Sequence, residues 1–306
     1  MKVFILAYAF NGLYQNGQLI FKEAKYYQKK DVALGILDNA KENPTIFSNI
    51  KTNIKIFKPD WIFVTGSRAL TPAQFQQLAD ISKLVIWDAD AVNEERDKIW
   101  KSLAGIPSAV FSVVSNLAEK YPTLSPHTIW TPQYFDSRTY KPSVSRPTKD
   151  EDFKYDVCFF GSFDDEKRLR WKKALEDAGF KVGFFNNVNG TVMSNIYARS
   201  RIAIAIWRDN FPLDGFLMSD RIYKAMGCGA FFLSYFLEGL ELMFKNKVHL
   251  DSYDGTLESL KAQITYYLQH PEEREKIAKA GQKEVLEKHT LKIRLNQYWE
   301  MMEKFK

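Results

Sequence analysis

The residues with the most chemical potential in this chain are Ser219, Asp220 and Arg221, which open a short segment that ends on Gly229 and feeds the apolar run 231–233. Ser219 is a favoured N-cap, and Asp220 places negative charge in the first turn. Gly229 suits the left-handed residue that closes a helix. A helix start beside an arginine is a site for a phosphate; the same residues also fit an ordinary crossover helix of an α/β sheet. Upstream, Gly161 and Ser162 follow an apolar run, and Lys167 and Arg168 open the next helical segment. Gly161 admits close approach to the backbone, and the two cations are placed to reach a diphosphate. The alternative is a solvated charge run. Between these segments, 207–215 carries carboxylates and amides, Asp214 among them, that suit sugar hydroxyls or simply connect two elements. In the first half, Asp88 and Asp90 sit just past a buried strand, where a carboxylate acts as a general base or binds hydroxyls. Capping of segment 91–103 is the competing role for Asp90. Asn11-Gly12 is a turn after the first strand on the same side.

Other chemistries lack their residues. His127, His249, His270 and His289 show no metal spacing, and there is no nucleophile elbow, P-loop or Cys-His pair. Gly-x-Gly-x-x-Gly is absent from both halves, which argues against a nicotinamide enzyme.

The elements that must position these residues alternate. Strand-like runs at 3–9, 32–37, 61–65, 84–87 and 109–114 are interleaved with helical segments at 18–30 and 71–81, the latter with Thr71 as cap and Pro72 at its first position. Segment 131–152 holds Pro132, Pro142 and Pro147 with little periodicity and reads as a linker. The alternation then restarts, with strands at 157–160, 181–185, 202–206 and 230–234, helices at 166–178 and 192–199, and a helical end at 257–268, 271–289 and 293–305. This pattern predicts an α/β protein with two doubly wound parallel sheets. Open sheets of that kind bind ligands at the carboxyl ends of their strands, which gathers Gly161, Arg168, Asp214 and Arg221 at one edge.

The chain has 306 residues, 15% of them aromatic, enough for two domains of ordinary size. Cys158 and Cys228 lie in apolar segments and read as buried small hydrophobes, which favours a reducing, cytoplasmic setting. No stretch is long enough to span a membrane, and residues 1–8 read as a first strand, not as a signal peptide. The net charge of +6 divides evenly, +3 on either side of residue 140. There is thus no basic tail, and mild basicity fits phosphorylated partners without singling out nucleic acid.

Several runs in order resemble the GT-B glycosyltransferases of group 1, in particular the branch of CgeB-like, spore-maturation proteins. They are Tyr155–Ser162, Ser219–Ala230, the Tyr266-Tyr267-Leu268-x-His270-Pro271-Glu272-Glu273-Arg274 run through Ile277, Ala278 and Gly281, and His289-Thr290 with Arg294. Trp130-Thr131-Pro132 with Phe135, Asp136, Tyr140 and Pro142 looks like the family's interdomain connection. In residues 1–125 only the strand pattern corresponds. The resemblance implies two Rossmann-like domains facing a cleft: 1–135 on the acceptor side, a linker at 136–152, 153–290 holding the nucleotide-sugar, and 291–306 packing back on the first domain. It also implies a nucleotide-sugar co-substrate, UDP-hexose by default, with no cofactor and no metal. Arg168 and Arg221 would then stabilise the departing diphosphate, with Lys167 third and Asp88 as a base in an inverting route. The donor set is Gly161, Ser162, Lys167, Arg168, Asp214, Ser219, Asp220, Arg221 and Lys224; the acceptor side has Asn11, Gly12, Asp88 and Asp90. The chain departs from the family at Lys224, where a glutamate commonly meets the ribose, and near Phe216, where another meets the sugar. Asp214 and Asp220 are the nearest carboxylates. That departure keeps a non-catalytic nucleotide-sugar-binding protein and a GT-B epimerase in view. The acceptor is open between a glycan, a protein and a modified nucleic-acid base, the last on account of the positive charge, Trp61, Trp87 and Arg68.

Overall fold

A computed structural model describes residues 1–8, 13–90, 92–163, 165–207, 219–236 and 239–305. The chain divides into two units, one of Met1–Pro132 with Leu291–Lys306, the other Gln133–Phe211 with Met218–Thr290. Among the described residues no helix is long and apolar enough to cross a membrane.

The first unit is a parallel sheet of β1 (Lys2–Ala7), β2 (Asp31–Ile36), β3 (Trp61–Thr65), β4 (Lys83–Asp88), β5 (Ala109–Ser112) and β6 (Thr128–Trp130), in the order β2-β1-β3-β4-β5-β6. Its helices are α1 (Leu13–Lys22), α2 (Pro44–Phe57), α3 (Pro72–Ala79), α4 (Glu94–Ser102) and α5 (Leu117–Lys120). The central strands are apolar along their middles, with polar residues only at their ends, because both faces are covered. α3 begins as its sequence predicts, with a reciprocal Thr71–Gln74 capping box and Pro72 in its first turn. No helix is read from the sequence between 37 and 61, yet α2 fills that interval, capped by Asn43 and closed at Lys58 in the left-handed region (φ 53°). α4 is capped by Asn93, whose side chain accepts from Arg96 N, so Asp90 has no capping role.

The second unit repeats the plan. Strands β7 (Tyr155–Phe160), β8 (Val182–Phe185), β9 (Ser200–Ile204), β10 (Phe231–Tyr235) and β11 (Asp251–Tyr253) form a parallel sheet ordered β11-β10-β9-β7-β8. Helices α6 (Glu166–Asp177), α7 (Gly190–Ala198), α8 (Asp220–Gly227), α9 (Leu257–Gln269) and α10 (Pro271–Lys288) accompany them. β6 and β11, at three residues each, were too short for a period to show. Residues 136–152, expected to connect the halves, contain no strand. They are held to the second unit by Arg146, which bonds Glu275 and the carbonyls of Ala198, Ser200 and Arg201.

The last helix, α11 (Leu291–Lys304), belongs to the first unit. It buries Leu291, Leu295, Tyr298, Trp299 and Met302, each contributing roughly 1.5–3 kcal/mol. Tyr298 stacks on Phe111 with ring centroids 5.0 Å apart, and its hydroxyl accepts from Trp87 Nε1 at 2.9 Å. This corrects an expectation: Trp61 and Trp87, 2% and 0% exposed, are core residues and offer no stacking surface to a nucleic-acid base.

Candidate active site

In both sheets the winding direction reverses between the first and third strands, and such switch points are where open α/β sheets bind ligands. In the second unit the reversal lies between β7 and β9. Arg168 bridges it. Asp165 caps α6 and accepts from Arg168 N at 3.1 Å. The guanidinium, buried at 7% exposure, donates to Ile206 O from Nε and Nη2 and to the carbonyl and hydroxyl of Ser162 from Nη1. It therefore ties the chain leaving β7 to the chain leaving β9. Gly161 leaves room for the ring of Phe159: a Cβ there would stand 2.7 Å from it. Lys167 turns away along α6, its ammonium 5.1 Å from the Trp171 ring.

The Phe159 ring is the feature sequence reading missed. The guanidinium carbons of Arg168 and Arg221 each lie 5.2 Å from its centroid, a spacing that favours cation–π attraction. Its signal was the alternation along β7, which sends Val157 and Phe159 into one core cluster while Phe160 packs on Tyr197, 4.5 Å between centroids. The Tyr197 hydroxyl, behind Phe160, is buried with no hydrogen-bond partner.

α8 follows its sequence closely. Ser219 Oγ accepts from Arg221 N at 3.3 Å. At the far end, Gly229 N bonds Met226 O and Ala230 N bonds Ala225 O, with Gly229 at φ 86°, the pairing of a Schellman closure. Gly227 lets the helix press against Phe135, whose ring a Cβ would meet at 2.7 Å. Within the first turns, Lys224 Nζ donates to Asp220 Oδ2 at 2.6 Å and sits 4.8 Å from the Tyr140 ring. Burial opposes the charge on Lys224, but Asp220 and Tyr140 outweigh it and hold the ammonium well above its usual range. Burial likewise pushes against the Asp220 carboxylate, and Lys224, Arg221 and Ser219 together hold it below 3.8. Arg221 makes no ion pair among the described residues and is only partly buried. The start of α8 thus carries one cation, Arg221, that makes no ion pair among the described residues, at the positive end of a helix dipole.

In the first unit, Asp88 is 1% exposed and fully engaged. Its carboxylate accepts from Ser67 N at 2.8 Å, from Asp90 N at 3.0 Å and from the Arg96 guanidinium. A carboxylate so enclosed has no free lone pair facing solvent, which removes Asp88 as a general base. Asp90, with a side chain 45% exposed, bonds Arg96 and lies 3.5 Å from Arg68, which also reaches Glu95 at 3.2 Å. Burial pushes the Asp90 carboxyl above 3.8 although both arginines pull it down. Asn11, Gly12 and Asp214 lie outside the described residues. Cys158 and Cys228 are free and buried, their thiols pushed up to about 12 by burial. No three His, Cys, Asp or Glu side chains cluster as metal ligands among the described residues.

The model of a family described as glycosyl transferase-like matches residues 144–300, just over half of the chain. The chain belongs to this family. The match spans every element of the second unit's sheet and α8. No curated protein matches this glycosyltransferase in sequence. Among solved structures it is similar to HepE (Alr3699) of Anabaena in complex with UDP and glucose, with a TM-score of 0.70 and 12% identity over 99% of this chain and 100% of that one. It is similar to sucrose-phosphate synthase of Thermosynechococcus elongatus, with a TM-score of 0.71 and 11% identity over 99% and 98%. An alpha-glucosyltransferase in complex with UDP-glucose and DNA containing an abasic site gives 0.66 and 8%, over 99% of each chain. At these identities the likeness is one of fold, and that fold is GT-B.

Proposed function

We propose that this glycosyltransferase moves a sugar from a nucleoside diphosphate donor, a UDP-hexose by default, to an acceptor hydroxyl. In this reading the second unit takes the donor and the first the acceptor, and the protein works in the cytoplasm as a member of the CgeB-like branch. The observation that carries the proposal is Arg221, a guanidinium without an ion pair among the described residues, at the start of α8 beside the switch point. The UDP and UDP-glucose bound by the similar Anabaena protein support the choice of donor. The two buried free thiols support a reducing compartment.

Transfer breaks the bond from the anomeric carbon to the diphosphate oxygen and forms one to the acceptor oxygen, while negative charge grows on the leaving diphosphate. Arg221 and the positive end of α8 stabilise that charge through preorganised potential, and this is where a metal-independent enzyme gains its rate. Arg168 acts one step back, holding the two strand ends in register around Phe159. The acceptor proton passes to the leaving diphosphate in a front-face route. In an inverting route a carboxylate base takes it, and Asp88, enclosed by Ser67, Asp90 and Arg96, does not fit that role. The acceptor is a glycan, a protein or a modified DNA base, and the similar alpha-glucosyltransferase bound to DNA keeps the last in contention.

The test is Arg221→Ala, followed by calorimetric titration with UDP and by UDP-glucose turnover. Loss of one charge-assisted contact weakens UDP binding about 10- to 100-fold with the melting temperature unchanged; unaltered affinity would remove Arg221 from the donor site. Lys224 favours a second reading, a binding protein without turnover or an epimerase, because it stands where the family offers a carboxylate. Donor binding with neither hydrolysis nor transfer would support the former, and conversion of the donor without acceptor the latter.

A further inference from the structure

The run 22–30 leaves four lysines and two tyrosines in a nine-residue surface segment whose only acid, Glu23, is 1% exposed. It begins at the last residue of α1, continues through a π-helical turn, Glu23–Tyr27, and leads into β2. Lys22, Lys25 and Lys29 are exposed: Lys22 ends α1, Lys25 lies in the π-helical turn beside Tyr26, and Lys29 follows the Gln28 cap, so they form one basic stripe along the chain. Tyr26 and Tyr27 are 59% and 61% exposed.

Several helical lysines elsewhere pair with a carboxylate one turn away: Lys101 with Asp97, Lys172 with Glu176, Lys173 with Asp177, Lys288 with Glu284. None of Lys22, Lys25, Lys29 and Lys30 makes an ion pair among the described residues. Like charges at this spacing repel by a few tenths of a kcal/mol per pair, and Lys29 also occupies the left-handed region at φ 54°, where glycine fits better. Packing of the stripe does not offset either cost, since its side chains face outward.

The platform itself is firmly held. Ile20, Glu23 and Ala24 are buried beneath it. Gln28 accepts from Trp299 Nε1 at 2.7 Å and donates to Lys292 O at 3.3 Å. The edge of Tyr26 meets Phe21, centroids 6.2 Å apart and planes at 82°, which keeps the phenol presented.

We propose that this stripe binds a single-stranded nucleic acid, the lysines meeting its phosphates and Tyr26 and Tyr27 stacking on its bases. From Lys22 to Lys29 the chain spans on the order of 10 Å, room for about three phosphates at the spacing of a stacked strand. An anionic membrane is the weaker fit. No aliphatic side chain is exposed between residues 17 and 30 to enter the acyl layer. The stripe precedes β2, which runs parallel to β1 from Lys2↔Asp31 onward. It therefore sits at the end of the sheet opposite the strand carboxyl ends, goes beyond the donor reading and does not depend on it.

The test is fluorescence anisotropy of a labelled 20-nucleotide single strand titrated with the whole protein at several salt concentrations. Binding should weaken with a log–log slope of about −2, the value for three phosphate contacts on a single strand. The triple variant Lys22→Glu, Lys25→Glu, Lys29→Glu should lose at least tenfold in affinity, and Tyr26→Ser with Tyr27→Ser at least fivefold, both with melting temperatures near that of the parent. A control, Lys172→Glu with Lys173→Glu, should bind as the parent does. No binding at low salt, equal losses in the control and the triple variant, or stronger binding to phosphatidylserine vesicles that the oligonucleotide fails to displace would each overturn the proposal. None of these readouts involves UDP, so they stand whatever Arg221→Ala shows.

Discussion

Asp220 and Lys224 are joined across one turn of α8 by a 2.6 Å contact, and Arg221 between them makes no ion pair among the described residues. A carboxylate at the position of Lys224 would face Asp220 at the same spacing and repel it. The departure from the family pattern is therefore a coupled one: the cation and its partner form a unit.

That unit has a pH signature. The Asp220 carboxyl is held below 3.8 in the fold, so its contribution to stability is fully present above that value and is lost as the pH falls through the depressed one. Urea titrations of the parent and of Asp220→Asn at a series of pH values should show a constant gap above about pH 5 that closes in acid. A gap that persists unchanged to pH 2 would mean that the pair contributes nothing through ionisation.

The two arginines beside Phe159 should separate by stability. Arg168→Ala leaves Ile206 O and Ser162 O without their donor in a buried setting, a loss of about 2–4 kcal/mol. Arg168→Lys should recover less than half of it, since one ammonium does not reach both strand ends. Arg221→Ala gives up only a cation–π contact and should stay within about 1 kcal/mol of the parent. Equal losses in the two alanine variants, measured as urea midpoints, would place Arg221 in the scaffold as well.

Asp88→Asn should rank among the most damaging single substitutions in the first unit. It strips the buried Arg96 of its enclosed partner and turns an amide toward donors on Ser67 and Asp90. Breaking one side of a buried pair costs about 3–5 kcal/mol. Asp90→Asn, in a half-exposed pair, should cost under about 1 kcal/mol. Should Asp88→Asn melt with the parent, the enclosed carboxylate would not be the anchor of this corner, and its exclusion as a base would fall with it.

What could be read from the sequence was what local chemistry encodes. α8 was legible end to end, since Ser219 and Gly229 mark a helix by backbone geometry alone. So were the central strands, whose apolar runs reflect burial on both faces. Long-range partners were not. Asp88 and Asp90 look equivalent in sequence, and only the fold brings Arg96 and Ser67 onto the first while leaving the second half-exposed. Trp61 and Trp87 carry no mark that α11, more than two hundred residues on, covers the Trp87 face. Arg168 reads as a diphosphate ligand or a solvated cation, because its acceptors, carbonyls 6 and 38 residues away, are backbone atoms with no sequence signature.

The same blindness applies to the connector read at 136–152, whose prolines and polar residues look free, and to Phe153 just after it. Phe153, 4% exposed, is ringed by three guanidinium groups, Arg146 at 4.7 Å, Arg201 at 5.8 Å and Arg274 at 5.7 Å from its centroid. Asp150 bonds Arg201 and Arg274, Asp156 bonds Arg201, and Glu275 bonds Arg146. Asp150 is shared by Arg201 and Arg274, and Glu275 by Arg146 and Arg274, so removing Arg274 leaves each carboxylate with one cation and the buried Tyr267 carbonyl without its donor. Arg274→Met should therefore lower stability by about 1–3 kcal/mol and loosen this segment first. Native trypsin should spare Lys149 and Lys154 in the parent, because their backbone is held against the second unit, and should cut there in Arg274→Met before cutting elsewhere. Prompt cleavage of the parent at those two sites would show that the charged ring closes too weakly to fix the segment.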